Sequence, residues 1–163
     1  MALPDMNRPL LPSREVKLTY TDGSSRTVYA TDVEVPFPEG QLIISRTDLR
    51  GIITHANDVF VEMSGWARED LIGAPHYILR HPDMPKSAFK DLWGDVAAGR
   101  KWHGYVKNLR KDGAHYWVYA SVVPNVRNGQ IVGYTSVRRK PSRTRIDELI
   151  PTYAQWVAQE SAS

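Results

Sequence analysis

Two dipeptides, Asp112-Gly113 and Asn128-Gly129, constrain this chain more than any other feature. Each offers the positive-φ residues of a tight hairpin turn. They separate three runs in which apolar and polar residues alternate: Trp102 to Leu109, His115 to Val123 and Gln130 to Val137. Period two joined by tight turns predicts a three-stranded antiparallel meander. Upstream, Leu42 to Ser45 and Gly51 to Thr54 read as two more short strands around a polar turn. Between the two groups the period changes. Asn57 or Asp58 can cap a short helix over Val59 to Met63 that Gly65 ends, a second runs from Glu69 to Ile72, and His76 to Leu79 has room for one turn. Asp83 and Pro85 mark the start of the longest central helix, which carries Phe89, Leu92, Trp93 and Val96 on one face and stops at Gly99. The chain is therefore α+β: a five-stranded antiparallel sheet with the inserted helices on one face and a pocket between the layers.

The flanks read differently. Residues 1–14 hold three prolines and no periodicity, a poorly ordered lead-in. Glu15 to Val35 turns at Asp22-Gly23 and reads as a hairpin outside the core. Arg143 to Ala158 has helical spacing, with Pro151 expected to kink or restart it. The organisation is an N-terminal extension (1–39), a main domain (40–140) and a C-terminal amphipathic helix (141–163). The longest apolar runs are too short to span a bilayer, and no secretory leader opens the chain, so a cytoplasmic protein without membrane insertion is expected. With 21 basic against 18 acidic residues, the charge gives no argument for nucleic acid. The absence of cysteine removes disulfides, thiolate metal sites and cysteine nucleophiles.

No phosphate loop, dinucleotide fingerprint, zincin helix or nucleophile elbow occurs, so an enzyme is not expected. The densest polar cluster is Arg80-His81-Pro82-Asp83-Met84-Pro85. Asp83 can cap the helix and Arg80 pair with an acid; equally, a helix start beside Arg and His is a ready anion site. Trp93 lies on the apolar helix face and reads first as core. Trp102, Gly104, Val106 and Asn108 share one strand face by period two. An inward Asn is costly unless paired, so Asn108 marks either a ligand edge or a face turned to water. Asn57 explains itself as an N-cap, though its amide could also read a heterocycle. The basic run Arg138-Arg139-Lys140 reads as a solvated strand end.

Ile53 to Asp58, Ser64-Gly65-Trp66, Pro75-His76, the Arg80 to Lys86 run, Trp93, Trp102, Val106-Lys107-Asn108, Arg110 to Gly113, His115-Tyr116-Trp117 and Val123-Pro124 resemble PAS domains, in particular the flavin-binding PAS domain of bacterial aerotaxis receptors. The resemblance covers about residues 42–140. It implies a PAS fold holding non-covalent FAD that reports redox or oxygen state to a partner and turns over no substrate. Positions matching Arg80, His81, Asp83 and Trp102 govern FAD retention in that family. Asn57, Trp93 and Asn108 also match, and their pocket roles rest on the physical arguments above; His76 matches without an assigned role. The family's membrane anchor and signalling region have no counterpart before Ser163, and Glu15 to Val35 lies outside the resemblance. FMN is the lesser alternative to FAD. Two others are a haem-binding PAS domain using His76, His81 or His103, and a cofactor-free dimerisation module. In a flavin domain, reduction would protonate ring N5 and force an amide, Asn108 or Asn57, to change partner. A homodimer built from the flanking segments and an unidentified downstream signalling protein complete the expectations.

Overall fold

A computed structural model of the chain describes residues 3–162. Strands β1 (Arg14–Thr19) and β2 (Ser25–Ala30) form the N-terminal hairpin, paired from Arg14 opposite Ala30 to Thr19 opposite Ser25. The main sheet comprises β3 (Ile43–Thr47), β4 (Ile53–Ala56), β5 (Trp102–Leu109), β6 (His115–Arg127) and β7 (Gln130–Arg139), in the spatial order β4-β3-β7-β6-β5 and antiparallel throughout. The expected meander is present with β5 as bounded; β6 and β7 run longer than the alternation indicated. Asn128 and Gly129 take positive φ at the β6–β7 turn.

Between β4 and β5 lie α1 (Asp58–Ser64), α2 (Arg68–Leu71), a 3₁₀ turn (His76–Leu79) and α3 (Lys86–Ala97). Asn57 caps α1, its Oδ1 accepting from Phe60 N, and Gly65 ends it at φ 75°. These helices cover the sheet face bearing Val106, Asn108, Ala120 and Val122. A final helix, α4 (Arg143–Ala162), packs on the opposite face: Tyr153 lies over Trp117, and its hydroxyl donates to the Tyr105 carbonyl at 2.9 Å.

Four expectations are corrected. First, the hairpin is not outside the core: Val28, Ala30 and Tyr20 are buried, and residues 31–35 pair with the β5–β6 turn through Thr31 N to Gly113 O, His115 N to Val33 O and Val35 N to His115 O. Even the lead-in is held, for Met6 is buried and the Pro4 carbonyl accepts from Arg26; Met1 and Ala2, also part of it, lie outside the described residues. Second, α4 does not restart at Pro151: it runs through it as one helix, with Ile146, Leu149 and Tyr153 buried on either side. Third, Asp83 does not cap α3. The helix starts at Lys86, and Glu160 of α4 accepts from the amides of Lys86 (2.8 Å) and Ser87 (3.0 Å). Fourth, Arg138 is not a solvated strand end. It is 2% exposed because β7 is the central strand and places it, with Tyr134 and Ser136, on the inner face.

Candidate functional site

The inner face of the sheet and the helical layer enclose a cavity of about 1040 Å³. That is at the upper end of the range for small-molecule and cofactor sites, roughly 300–1,000 Å³. Its floor is made by Val106 and Asn108 of β5, Val122 of β6, and Tyr134, Ser136 and Arg138 of β7. Its walls are His76, Tyr77, Leu79 and Arg80 on one side and Phe89, Leu92 and Trp93 of α3 on the other. The N-terminal hairpin supplies part of the rim, through Thr19, Tyr20, Thr21 and Asp22.

The wall forms because the segment from Arg80 to Met84 runs along the free edge of β5. Arg80 bridges antiparallel to Asn108, and the Met84 sulfur accepts from Lys107 N. This covers an edge that would otherwise present unpaired backbone and turns the Arg80 side chain toward the cavity. Its guanidinium lies 5.1 Å over the Phe89 ring and donates to the Met84 carbonyl, while its buried Nε has no protein acceptor among the described residues. Burial lowers its pKa from the ordinary arginine value. Trp93, 36% exposed, stands at the mouth, edge-on to Tyr134 at 5.7 Å and against Gly51.

The deep end is polar. Asn108 is buried there beside Tyr116, whose hydroxyl is pushed up to about 12 by burial. Arg138 donates to the hydroxyls of Ser45 and Ser136, both at 2.9 Å, and to His76 Nε2 at 3.3 Å. Burial, with Arg138 adding to it, lowers the His76 pKa to about 3, so the imidazole is neutral at pH 7 and can accept.

The rim is latched. Tyr20 stacks on Tyr77 with ring centres 4.1 Å apart and planes within 7°. The Tyr77 hydroxyl donates to Asp22 at 2.5 Å, and Ser24 lies 3.2 Å from it. Below the latch, Arg26 donates to the Ile78 carbonyl and Arg14 pairs with Asp83 at 2.8 Å.

Of the residues singled out from sequence, Arg80, Trp93 and Asn108 line the cavity, and Asn57, His81, Asp83 and Trp102 do not. Asn57 is spent on backbone: Oδ1 accepts from Ile44 N and Phe60 N, and Nδ2 donates to Leu42 O. His81, 1% exposed, accepts from Asp83 N through Nδ1 and meets His115 edge-on; burial first, then Lys107, lowers its pKa to about 3. Asp83 pairs with both Arg14 and Lys107, and these hydrogen bonds lower its carboxyl to about 2 against the opposing effect of burial. Trp102 shares the inner face with Val106 and Asn108, as even spacing requires. Its ring lies across Gly104, where a Cβ would collide with it, and Nε1 donates to Asp91 of α3 at 3.0 Å. Of the three histidines considered as iron ligands, His76 lines the cavity, His81 is sealed beside His115, and His103 is on the outer face with Ser121. Arg138 and the hairpin rim also line the cavity, though neither was expected there from the sequence. The alternation Tyr134, Ser136, Arg138 was a usable signal for the first; nothing local signalled the second.

Comparison with known proteins agrees with this architecture. The model of the PAS fold family matches residues 53–138. The chain is 47% identical over 125 residues to the aerotaxis receptor of Escherichia coli (strain K12), covering 77% of this chain and 25% of that protein. It is 26% identical over 102 residues to the nitrogen fixation regulatory protein of Klebsiella pneumoniae, covering 62% of this chain and 21% of that one. It thus spans about a quarter or less of the length of these curated relatives. Among solved structures, a light-oxygen-voltage domain studied with a flavin analogue superposes with a TM-score of 0.62 at 21% identity, covering 69% of this chain and 86% of that one, a likeness of fold alone. Among the described residues no helix is long and apolar enough to cross a membrane. With a matching segment that takes in most of the sheet and the whole helical layer above the cavity, the chain belongs to the PAS fold family.

Proposed function

We propose that this chain is a flavin-binding sensor module, with FAD as its cofactor, that reports redox or oxygen state to a partner and is not a catalyst. The observation that carries the reading is the cavity: aromatic at Trp93, Tyr134, Phe89 and Tyr77, polar at its deep end, and bordered by the cations Arg50, Arg80, Lys86 and Lys90 against the carboxylate of Asp22. A planar heterocycle with a phosphate-bearing tail has matching chemistry: stacking surface for the ring, an amide for its edge, and positive charge for the tail. Two buried Nε atoms in the lining, on Arg80 of the wall and Arg138 of the floor, have no protein acceptor among the described residues, which fits an acceptor-rich ligand. The kinship with an aerotaxis receptor and the fold shared with a light-oxygen-voltage domain point the same way. FAD in preference to FMN follows the sequence resemblance.

When bound, a flavin supplies reversible electron transfer. The chain's own residues do the rest. Trp93 and the rim shield the cavity from water, Arg80 would hold the tail, and Asn108 would offer an amide able to accept from or donate to a ring nitrogen. Asn57 is committed to the backbone, so Asn108 is the lining amide that would change partner with the protonation state of a bound ring. An unmet partner there costs about 1–3 kcal/mol, enough to shift a two-state element more than fivefold. The element within reach is the N-terminal hairpin, whose turn forms the rim. His81, Asp83 and Trp102 serve retention as scaffold: they hold the β5 edge, the hairpin and α3 around the cavity. The test is the visible spectrum of the purified chain, followed by identification of the released cofactor. Flavin bands and FAD support the proposal; a Soret band or a colourless protein that takes up no added flavin refutes it.

A further inference from the structure

Arg138 is the least explained charge in the molecule. It stands mid-sheet on β7, opposite Ile43 of β3 and Ala120 of β6, under the helical layer. Its neighbours are neutral: the hydroxyls of Ser45 and Ser136, the imidazole of His76, and the Phe60 ring 4.7 Å from the guanidinium carbon. Among the described residues no carboxylate pairs with it. Burial lowers its pKa to about 10, so it remains charged at pH 7. A buried cation without a counter-charge is costly, and a well-packed apolar residue in its place is often neutral or stabilising. Folding alone therefore gives no reason for this charge.

The cavity gives one. Arg138 lines its deep end, and among the described residues its buried Nε has no protein acceptor. We propose that Arg138 is a binding residue for the electron-rich carbonyl edge of the heterocycle, and that its fixed charge favours the reduced over the oxidised ring. The inference rests on the flavin reading above. Two electrons from an external low-potential carrier and one proton from solvent turn the neutral ring into a monoanion, and the added negative charge is shared by that carbonyl edge. A guanidinium there, shielded from water, stabilises the anion more than the neutral ring. Arg50, Arg80, Lys86 and Lys90 also line the cavity and suit a phosphate tail.

The test compares wild type with Arg138→Met in three measurements on the full chain. Melting of the cofactor-free protein should be unchanged or higher for the variant. Affinities for FAD and for riboflavin, which lacks phosphate, should fall by the same factor, at least tenfold. The midpoint potential, with dithionite as reductant, should fall by about 30 mV for each further tenfold by which the reduced form is weakened beyond the oxidised. Arg138→Lys, which keeps the charge without the fork, should lose affinity while staying near the wild-type potential; it carries the test if Arg138→Met does not fold. Unchanged affinities and potential in a variant whose wild type binds flavin overturn this proposal and leave the flavin reading standing. Loss for FAD with none for riboflavin assigns Arg138 to the tail and overturns it too. A wild-type chain that binds neither probe removes the flavin reading and this inference together.

Discussion

Asp83→Ala separates a scaffold from a contact. The carboxylate ties three elements together: the loop that carries it, the hairpin through Arg14 at 2.8 Å, and β5 through Lys107 at 3.0 Å. A carboxyl held at about 2 against an ordinary 3.8 corresponds to somewhat over ~2 kcal/mol of folding stability. Because 41% of the side chain is exposed, solvent screening reduces that to about 1–2 kcal/mol. For a domain of this size the melting temperature should drop by about 3–6 °C. The folded-state pKa is depressed, so the contribution is complete above the unfolded value of 3.8, including pH 7, and is lost as pH falls through about 2. The assay is thermal melting of the cofactor-free chain at pH 7, alongside FAD titration. The variant should melt lower and bind FAD more weakly, and adding Arg14→Ala should cost less than Arg14→Ala costs alone, because the two share one ion pair. If cofactor-free melting is unchanged while flavin binding is abolished, Asp83 touches the ligand and the scaffold reasoning is wrong.

Gly104→Ala should be destabilising by about 1–3 kcal/mol, because its Cβ would collide with the Trp102 ring; urea unfolding checks this, and a neutral result would mean the ring has another place to lie. Tyr77→Phe removes the hydroxyl that donates to Asp22, so limited proteolysis within residues 14–35 should speed up while cleavage elsewhere does not; equal protection would show that the ring stack alone holds the rim. His76 and His81 both have pKa values lowered to about 3. The unfolded chain therefore takes up protons first, and stability should decline on acidification from the ordinary histidine value of 6.5 downward, read as a falling urea midpoint between pH 7 and 5. Light scattering at tens of micromolar should give a dimer mass, with Ile150 and Trp156 exposed on α4; a monomer mass removes the dimer.

What could be read from the chain before its structure was local or periodic. The β5 limits followed from strict alternation, the Asn57 cap and Gly65 stop from side-chain chemistry, and the shared face of Val106 and Asn108 from counting by twos. What escaped depends on partners far away in sequence. Arg14 meets Asp83 across 69 positions, and Glu160 caps α3 across 74, so neither the docked hairpin nor the true cap of α3 has a local signature. Asp83, two residues ahead of Pro85, has the pattern of a cap, yet Arg14 and Lys107 hold its oxygens in place of the helix amides. Arg138 was legible in principle: the alternation that buries Tyr134 also buries it, but a run of three basic residues suggested a solvated end and masked the count.

If flavin resides in the cavity between the sheet and α3, blocking that cavity must abolish its binding. Ser136, half-buried on the floor of β7, faces that space. Ser136→Phe puts an aromatic ring where the heterocycle would lie while adding apolar surface to the interior, so the cofactor-free fold should persist by circular dichroism. The measurement is the flavin-to-protein absorbance ratio after incubation with excess FAD and gel filtration, with Lys140→Ala, which alters only an exposed pair with Glu39, as the control. Folded Ser136→Phe should give a ratio near zero and the control a wild-type ratio. A folded Ser136→Phe chain that retains wild-type flavin would place the cofactor elsewhere.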